Sequence, residues 1–192
     1  MTTYYSEEEL RRLGLREYGK EVYISRNCSI YNPDKIKLGS HIRIDDFTIL
    51  SGNIEFYDYI HIAVYTSLFA GNSKIILDSY SGISSRTAIY AESDDYSGEF
   101  MTNPMVPEKY RRIQSGEVMI GKHVVIGTGS TILPGVSVGE GASVGAMSLI
   151  NHNIEPWTIN VGIPCRKVKE RSRKLLEYEQ RLMEDLALKQ EK

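Results

Sequence analysis

Long apolar runs are missing from this 192-residue chain, and so is any excess of charge. No stretch approaches the roughly 20 consecutive apolar residues that a membrane-spanning helix needs. With 23 basic against 25 acidic residues the net charge is −2, which excludes nucleic-acid binding through a basic face. Only two cysteines occur, Cys28 and Cys165, too few for a disulfide framework, so a reduced, cytoplasmic setting is expected. The opening stretch MTTYYSEEELRRLG has three consecutive glutamates and no apolar core, unlike a secretion signal. His41, His61, His123 and His152 are scattered, and neither CxxC nor HExxH occurs, so no metal is expected. The stretch from Gly116 to His123 imitates a phosphate-binding loop but lacks its final hydroxyl residue.

What is present is a repeat of six. Ile120, Ile126, Ile132, Val138, Val144 and Ile150 form one aliphatic column, and Gly121, Gly127, Gly139 and Gly145 follow four of them. Two places earlier stand the small or β-branched residues Val118, Val124, Ser130, Val136, Ala142 and Ser148. The first half repeats both columns: Leu38, Ile44, Leu50, Phe56, Ile62, Leu68, and Ile36, Ile42, Thr48, Ile54, Ile60, Thr66. A shifted register then gives Leu77, Ile83 and Ile89. A helical period of 3.6 and simple alternation both fail to produce this pattern. Three pleats followed by a corner bring an inward side chain back after six residues, so three short faces close one coil of a triangular prism. The glycines are expected to supply unusual backbone angles at the corners. The fold class is therefore all-β, a parallel β-helix of hexapeptides.

The interruptions divide the chain. Ser6-Glu7-Glu8-Glu9 offers a capping box for a short helix ending near Gly14, within a lead-in of residues 1–20. The β-helix is expected over 21–165, broken by an extended loop at about 91–117 that is rich in polar residues, glycine, proline and tyrosine. A loop of that length inside a compact repeat is usually functional. Residues 166–192 hold good helix formers, with Leu175, Leu182 and Leu186 on one face, and a helix there is expected to cap the open end of the prism.

Candidate chemistry gathers at the loop. Glu92-Ser93-Asp94-Asp95-Tyr96 concentrates three carboxylates where the chain leaves the wall. They are either solvated turn residues or a carboxylate set over a cleft to take a proton or hold an ammonium. Ser84 occupies the slot after Ile83 where other coils have glycine, pointing outward. His61, between inward Ile60 and Ile62, also points outward, as does His123 from its coil.

The hexapeptide columns, the loop and the ending Trp157-Thr-Ile-Asn-Val-Gly162-Ile-Pro164-Cys-Arg166 resemble the left-handed β-helix acyltransferases that use acyl-coenzyme A. Arg43-Ile-Asp45-Asp46-Phe47, Ile83-Ser84-Ser85-Arg86-Thr87 and Asp94-Asp95-Tyr96-Ser97-Gly98 resemble a narrower group within it. That group N-acylates nucleotide-linked 4-amino-4,6-dideoxy sugars of the anthrose and O-antigen type. The resemblance implies a left-handed coil, a homotrimer, and acetyl-CoA as cosubstrate in a groove between adjacent prisms. It implies that Asp94 orients the sugar amine and accepts its proton, with Ser84 completing a relay. It implies coenzyme contacts at Thr128 and Ala146, then Asn151 and His152, with Arg166 and Lys169 meeting phosphates. The loop from Ala91 to Glu117 departs from sugar O-acetyltransferases of the superfamily in holding no histidine. A hydroxyl needs a general base, whereas a deprotonated amine is already nucleophilic, so N-acylation is favoured. Direct transfer without an enzyme-bound intermediate is expected, since no activated nucleophile motif appears. The alternatives are an O-acetyltransferase with His61 or His123 as base, and a non-enzymatic β-helix scaffold.

Overall fold

The computed structural model describes residues 3–190 as a three-sided parallel β-solenoid of about seven coils. The first face stacks Val22–Ile24, Ile42–Ile44, Ile60–Ile62, Gly82–Ile83, Val125–Ile126, Ser143–Val144 and Thr158–Val161 in parallel register. The second stacks Ser29–Tyr31, the opening halves of Ile49–Phe56 and Ser67–Leu77, then Ala88–Tyr90, Thr131–Ile132 and Leu149–Ile150. The third holds Glu17–Tyr18, Ile36–Leu38, the closing halves of the same two long strands, Val118–Ile120 and Ser137–Val138. Every residue of the six-period columns lies inside the prism, from Ile36 through Ile89 and from Val118 through Ile150.

The corners work differently from the expectation. Gly121, Gly127, Gly139 and Gly145 have no positive φ. They are needed because the next coil passes too close for a side chain: a Cβ on Gly127 would sit 2.4 Å from the Ala146 nitrogen, and one on Gly121 2.7 Å from that of Glu140. The left-handed residue comes three places after the aliphatic, and it is often not glycine. At the corner from third to first face it is His41, Tyr59, Tyr80 and His123, each with φ near +60° (60, 59, 61 and 60°). Their rings stack in one column at centroid spacings of 4.3, 4.9 and 5.1 Å, contacts that offset part of the backbone strain.

The ends also differ. Helix α1 (Glu7–Arg12) carries the full Ser6/Glu9 capping box and buries Leu10 against the first coils. Arg26 grips the exposed Glu9 carboxylate and, with the Ser6 contacts, lowers its pKa to about 2. Helix formers do not carry helix from residue 166: Arg166–Glu170 is an antiparallel strand covering the edge of Thr158–Val161. Helix α2 (Leu175–Gln190) then lies along the ring column instead of over the open end. Glu179 receives Lys122 Nζ at 2.5 Å and His123 Nε2 at 2.8 Å. His123 points outward from its coil, as expected, but its ring is covered by α2.

Charge is unevenly spread over the walls. The third face pairs Lys37 with Glu17 and Lys74 with Glu55, and the first exposes Arg43 and His61. The outward side chains of the second, Ser29, Tyr31, Ile49, Ser51, Ser67, Phe69, Ala88, Tyr90, Thr131 and Leu149, carry no charge.

Candidate active site

The loop leaves the wall after Ala91 as an antiparallel ribbon, Glu92–Asp94 against Ile113–Ser115, and returns at Gly116. Between this ribbon and the corner of the second and third faces lies a cleft of about 920 Å³, whose walls include Tyr90, Asp94, Gln114, Pro134 and Asn151. That volume is in the range of small-molecule sites.

The three carboxylates divide by what their oxygens already do. Glu92 accepts the Asn72 N–H at 2.9 Å and folds against Gly71, where a Cβ would collide with it. Asp95 accepts the Ser97 hydroxyl at 2.9 Å on both oxygens and the N–H groups of Gly98 and Phe100. Those bonds, Ser97 first, hold its carboxyl below the usual range. Asp95 is therefore a turn residue. Asp94 accepts only the Asn103 N–H, at 3.2 Å on Oδ2. Its Oδ1 has no hydrogen-bond partner among the described residues, and it lines the cleft.

Ser84 is not in that cleft. It stands at the corner of the first and second faces, with Ala63 below it and Gly127 above. The width of the second face separates it from Asp94, about 20 Å for six extended residues. Ser84 shares its corner with Thr128, whose hydroxyl lies 2.9 Å from that of Ser85, and with exposed Ala146 on the next coil. Arg166 follows at the top of the same edge, beside Val161. Lys169 lies three residues further, beside Ile159 on the first face, about 10 Å along the strand. Asn151 and His152 belong to the Asp94 side, where His152 Nδ1 lies 3.0 Å from Asn151 Oδ1. The expected contacts thus fall on two edges of one prism.

The cationic run after Arg166 is mostly spent on structure. Lys167 pairs with Glu155 at 3.0 Å and Glu170 at 2.7 Å. Arg171 donates to the carbonyls of His123, Gly141 and Ala142, and burial lowers its pKa. Arg173 sits over the Trp157 ring.

Reading the sequence missed a polar cluster on the first face. Asp45 takes Arg43 Nε at 2.7 Å on one oxygen and His61 Nε2 at 2.8 Å on the other. Burial works to raise the Asp45 pKa, but the bonds from His61 and Arg43 outweigh it and the net shift is downward. The 16-residue offset between Asp45 and His61, close to one coil, was the available signal. Neither cysteine offers a nucleophile: burial pushes the Cys28 thiol to about 11 and that of Cys165 upward.

Residues 117–152 match the model of the bacterial transferase hexapeptide family, six repeats. The chain is 48% identical over 179 residues to dTDP-4-amino-4,6-dideoxy-D-glucose acyltransferase from Escherichia coli, covering 92% of this chain and 93% of that protein. It superposes with a TM-score of 0.95 and 44% identity on AntD, an N-acyltransferase from Bacillus cereus in complex with dTDP and 3-hydroxybutyryl-CoA, over 97% of this chain and 100% of the other. The S84A variant of AntD, in complex with dTDP-4-amino-4,6-dideoxyglucose and coenzyme A, gives a TM-score of 0.94 at 45% identity over 96% and 100% of the two chains.

Proposed function

Because this chain belongs to the hexapeptide-repeat acyltransferases, among the dTDP-4-amino-4,6-dideoxyglucose acyltransferases, we propose that it moves an acyl group, acetyl in the simplest case, from coenzyme A to the amine of a dTDP-linked 4-amino-4,6-dideoxy sugar. The observation that carries this reading is Asp94, a carboxylate with one unengaged oxygen over a cleft in a loop without histidine. An Oδ1 that accepts an N–H from the amine sets its lone pair toward the thioester carbonyl. A carboxylate is a weak base for an ammonium, so the amine attacks in its neutral form and Asp94 orients it. Attack forms the C–N bond, and collapse of the tetrahedral intermediate breaks C–S and releases coenzyme A. Backbone N–H groups along the coil stabilise the oxyanion. With both thiols protonated near neutrality, transfer is direct.

The working unit is a homotrimer. A span of about 20 Å keeps Ser84 and Asp94 of one chain apart. Three prisms turning their uncharged second faces toward a common axis bring the Asp94 edge of one copy against the Ser84 edge of the next, and the ring closes by the same contact each time. The groove between them then has Asn151 and His152 on one side and Thr128, Ala146 and Arg166 on the other, with Lys169 near its mouth for a phosphate. The proposed setting is the cytoplasm; no described helix is long and apolar enough to cross a membrane.

Thiol release from acetyl-CoA, measured against a panel of amino and hydroxy sugars on dTDP, tests the proposal. Turnover with the 4-amino sugar and none with its 4-hydroxy counterpart is expected; transfer to hydroxyls alone, or full rate in Asp94→Ala, would overturn it.

A further inference from the structure

We infer that His61, held by Asp45, is the terminal proton acceptor of the acyl transfer, working through the Ser84 hydroxyl; the inference rests on the function proposed above. The parallel register carries it. His61 stands beside Gly82 on the first face, and Asp45, Ala63 and Ser84 stack in the neighbouring row of successive coils. Asp45 is therefore the diagonal neighbour of His61 one coil down, and Ser84 its diagonal neighbour one coil up. The two spans are equal by the repeat, about 8 Å between Cα atoms, within reach of a ring and a short side chain or one bridging water. The first span is already closed, by the 2.8 Å bond from His61 Nε2 to Asp45 Oδ2.

Space on the other side is left open. Gly82 takes the outward slot above His61, and a Cβ there would meet nothing within 4 Å. The imidazole is half exposed, and its Nδ1 has no hydrogen-bond partner among the described residues. A carboxylate on Nε2–H fixes the tautomer that leaves Nδ1 as the basic nitrogen. Other charged or titratable groups facing this notch are Arg43 on Asp45, Tyr59, Tyr80 and His123 of the ring column, and Arg171, Tyr178 and Glu179 from the α2 side. Glu179 is already paired with Lys122 and His123.

The proton balance closes. As nitrogen bonds to the thioester carbon, the amine proton passes to Ser84 Oγ while the serine proton moves to His61 Nδ1. C–S cleavage then expels the thiolate, and the imidazolium returns that proton to the sulfur, giving free coenzyme A and neutral His61. Ser84 touches the amine; His61 acts behind it.

The test is kcat/KM against pH, by thiol release from acetyl-CoA with the dTDP-4-amino sugar, for wild type, His61→Gln and Asp45→Asn. In wild type two groups must be deprotonated, substrate amine and His61, so the acid limb falls with a slope of two. His61→Gln should lose roughly 10²-fold or more in kcat with KM little changed, leaving an acid limb of slope one. Asp45→Asn removes the carboxylate that holds the His61 ring, so kcat should fall with KM little changed; it carries the test if His61→Gln does not fold. His61→Gln within twofold of wild type and with slope two retained, while Asp94→Asn is disabled, overturns the role of His61 and leaves the proposed function standing. A wild-type protein that transfers nothing to the amine overturns both.

Discussion

Asp94 and Glu92 each leave one oxygen without a hydrogen-bond partner among the described residues, but the free oxygen of Glu92 is packed against Gly71, whereas Asp94 has no such close packing. Glu92 and Asp95 are tied down by Asn72, Ser97, Gly98 and Phe100. Asp94→Asn keeps the shape and the Asn103 contact but replaces an acceptor by an amide, so kcat should drop by roughly 10²-fold or more with the fold intact, as read by steady-state kinetics and circular dichroism. Asp95→Asn should instead loosen the loop, seen as faster amide exchange over residues 96–100. A second residue stands out for stability. Ser81 fills an inward slot between Ile60 and Val124, is 2% exposed, and its hydroxyl has no hydrogen-bond partner among the described residues. A buried unsatisfied hydroxyl is costly, so Ser81→Ala should raise stability by about 1 kcal/mol, moving the urea midpoint up at constant slope.

At the scale of the coil, glycine is required by approach and not by angle. Gly127→Ala drives a methyl to 2.4 Å from the Ala146 nitrogen, which forces two coils apart. It should cost about 2 kcal/mol or more, whereas Gly82→Ala, with open space, should leave the urea midpoint unchanged or slightly higher. The columns of six were legible because each coil repeats the same burial, so Ile120 through Ile150 declare the prism without knowledge of contacts. The ring column was not, since insertions set His41, Tyr59, Tyr80 and His123 at uneven intervals and the φ of a corner leaves no fixed residue type. The placement of α2 was hidden for a similar reason: its anchors, Glu179 on Lys122 and His123, lie 56 to 57 residues away in sequence. Burial acts to raise the Glu179 pKa, but the bonds from Lys122 and His123 outweigh it and the net shift is downward. Its contribution is thus present above the unfolded carboxylate value and is lost as pH falls through the lowered folded value. Amide exchange of α2 should accelerate below about pH 4 while that of the coils stays protected.

For the whole molecule, Ser84 and Asp94 were both identifiable as unusual residues in their coils, but their relation was not. A single chain sets them on different corners; in the trimer proposed above a second copy closes the gap through the uncharged second face, a contact that the sequence of one chain does not display. Activity in mixed trimers tests this most directly. Ser84→Ala and Asp94→Ala, each inactive alone, are co-refolded in equal amounts and assayed for acylation of the dTDP-4-amino sugar. A groove shared between copies predicts recovery to about one quarter of wild-type activity, the fraction of interfaces with both intact edges under random assembly. Mixtures as inactive as their parents, with assembly of mixed trimers verified, would contradict it.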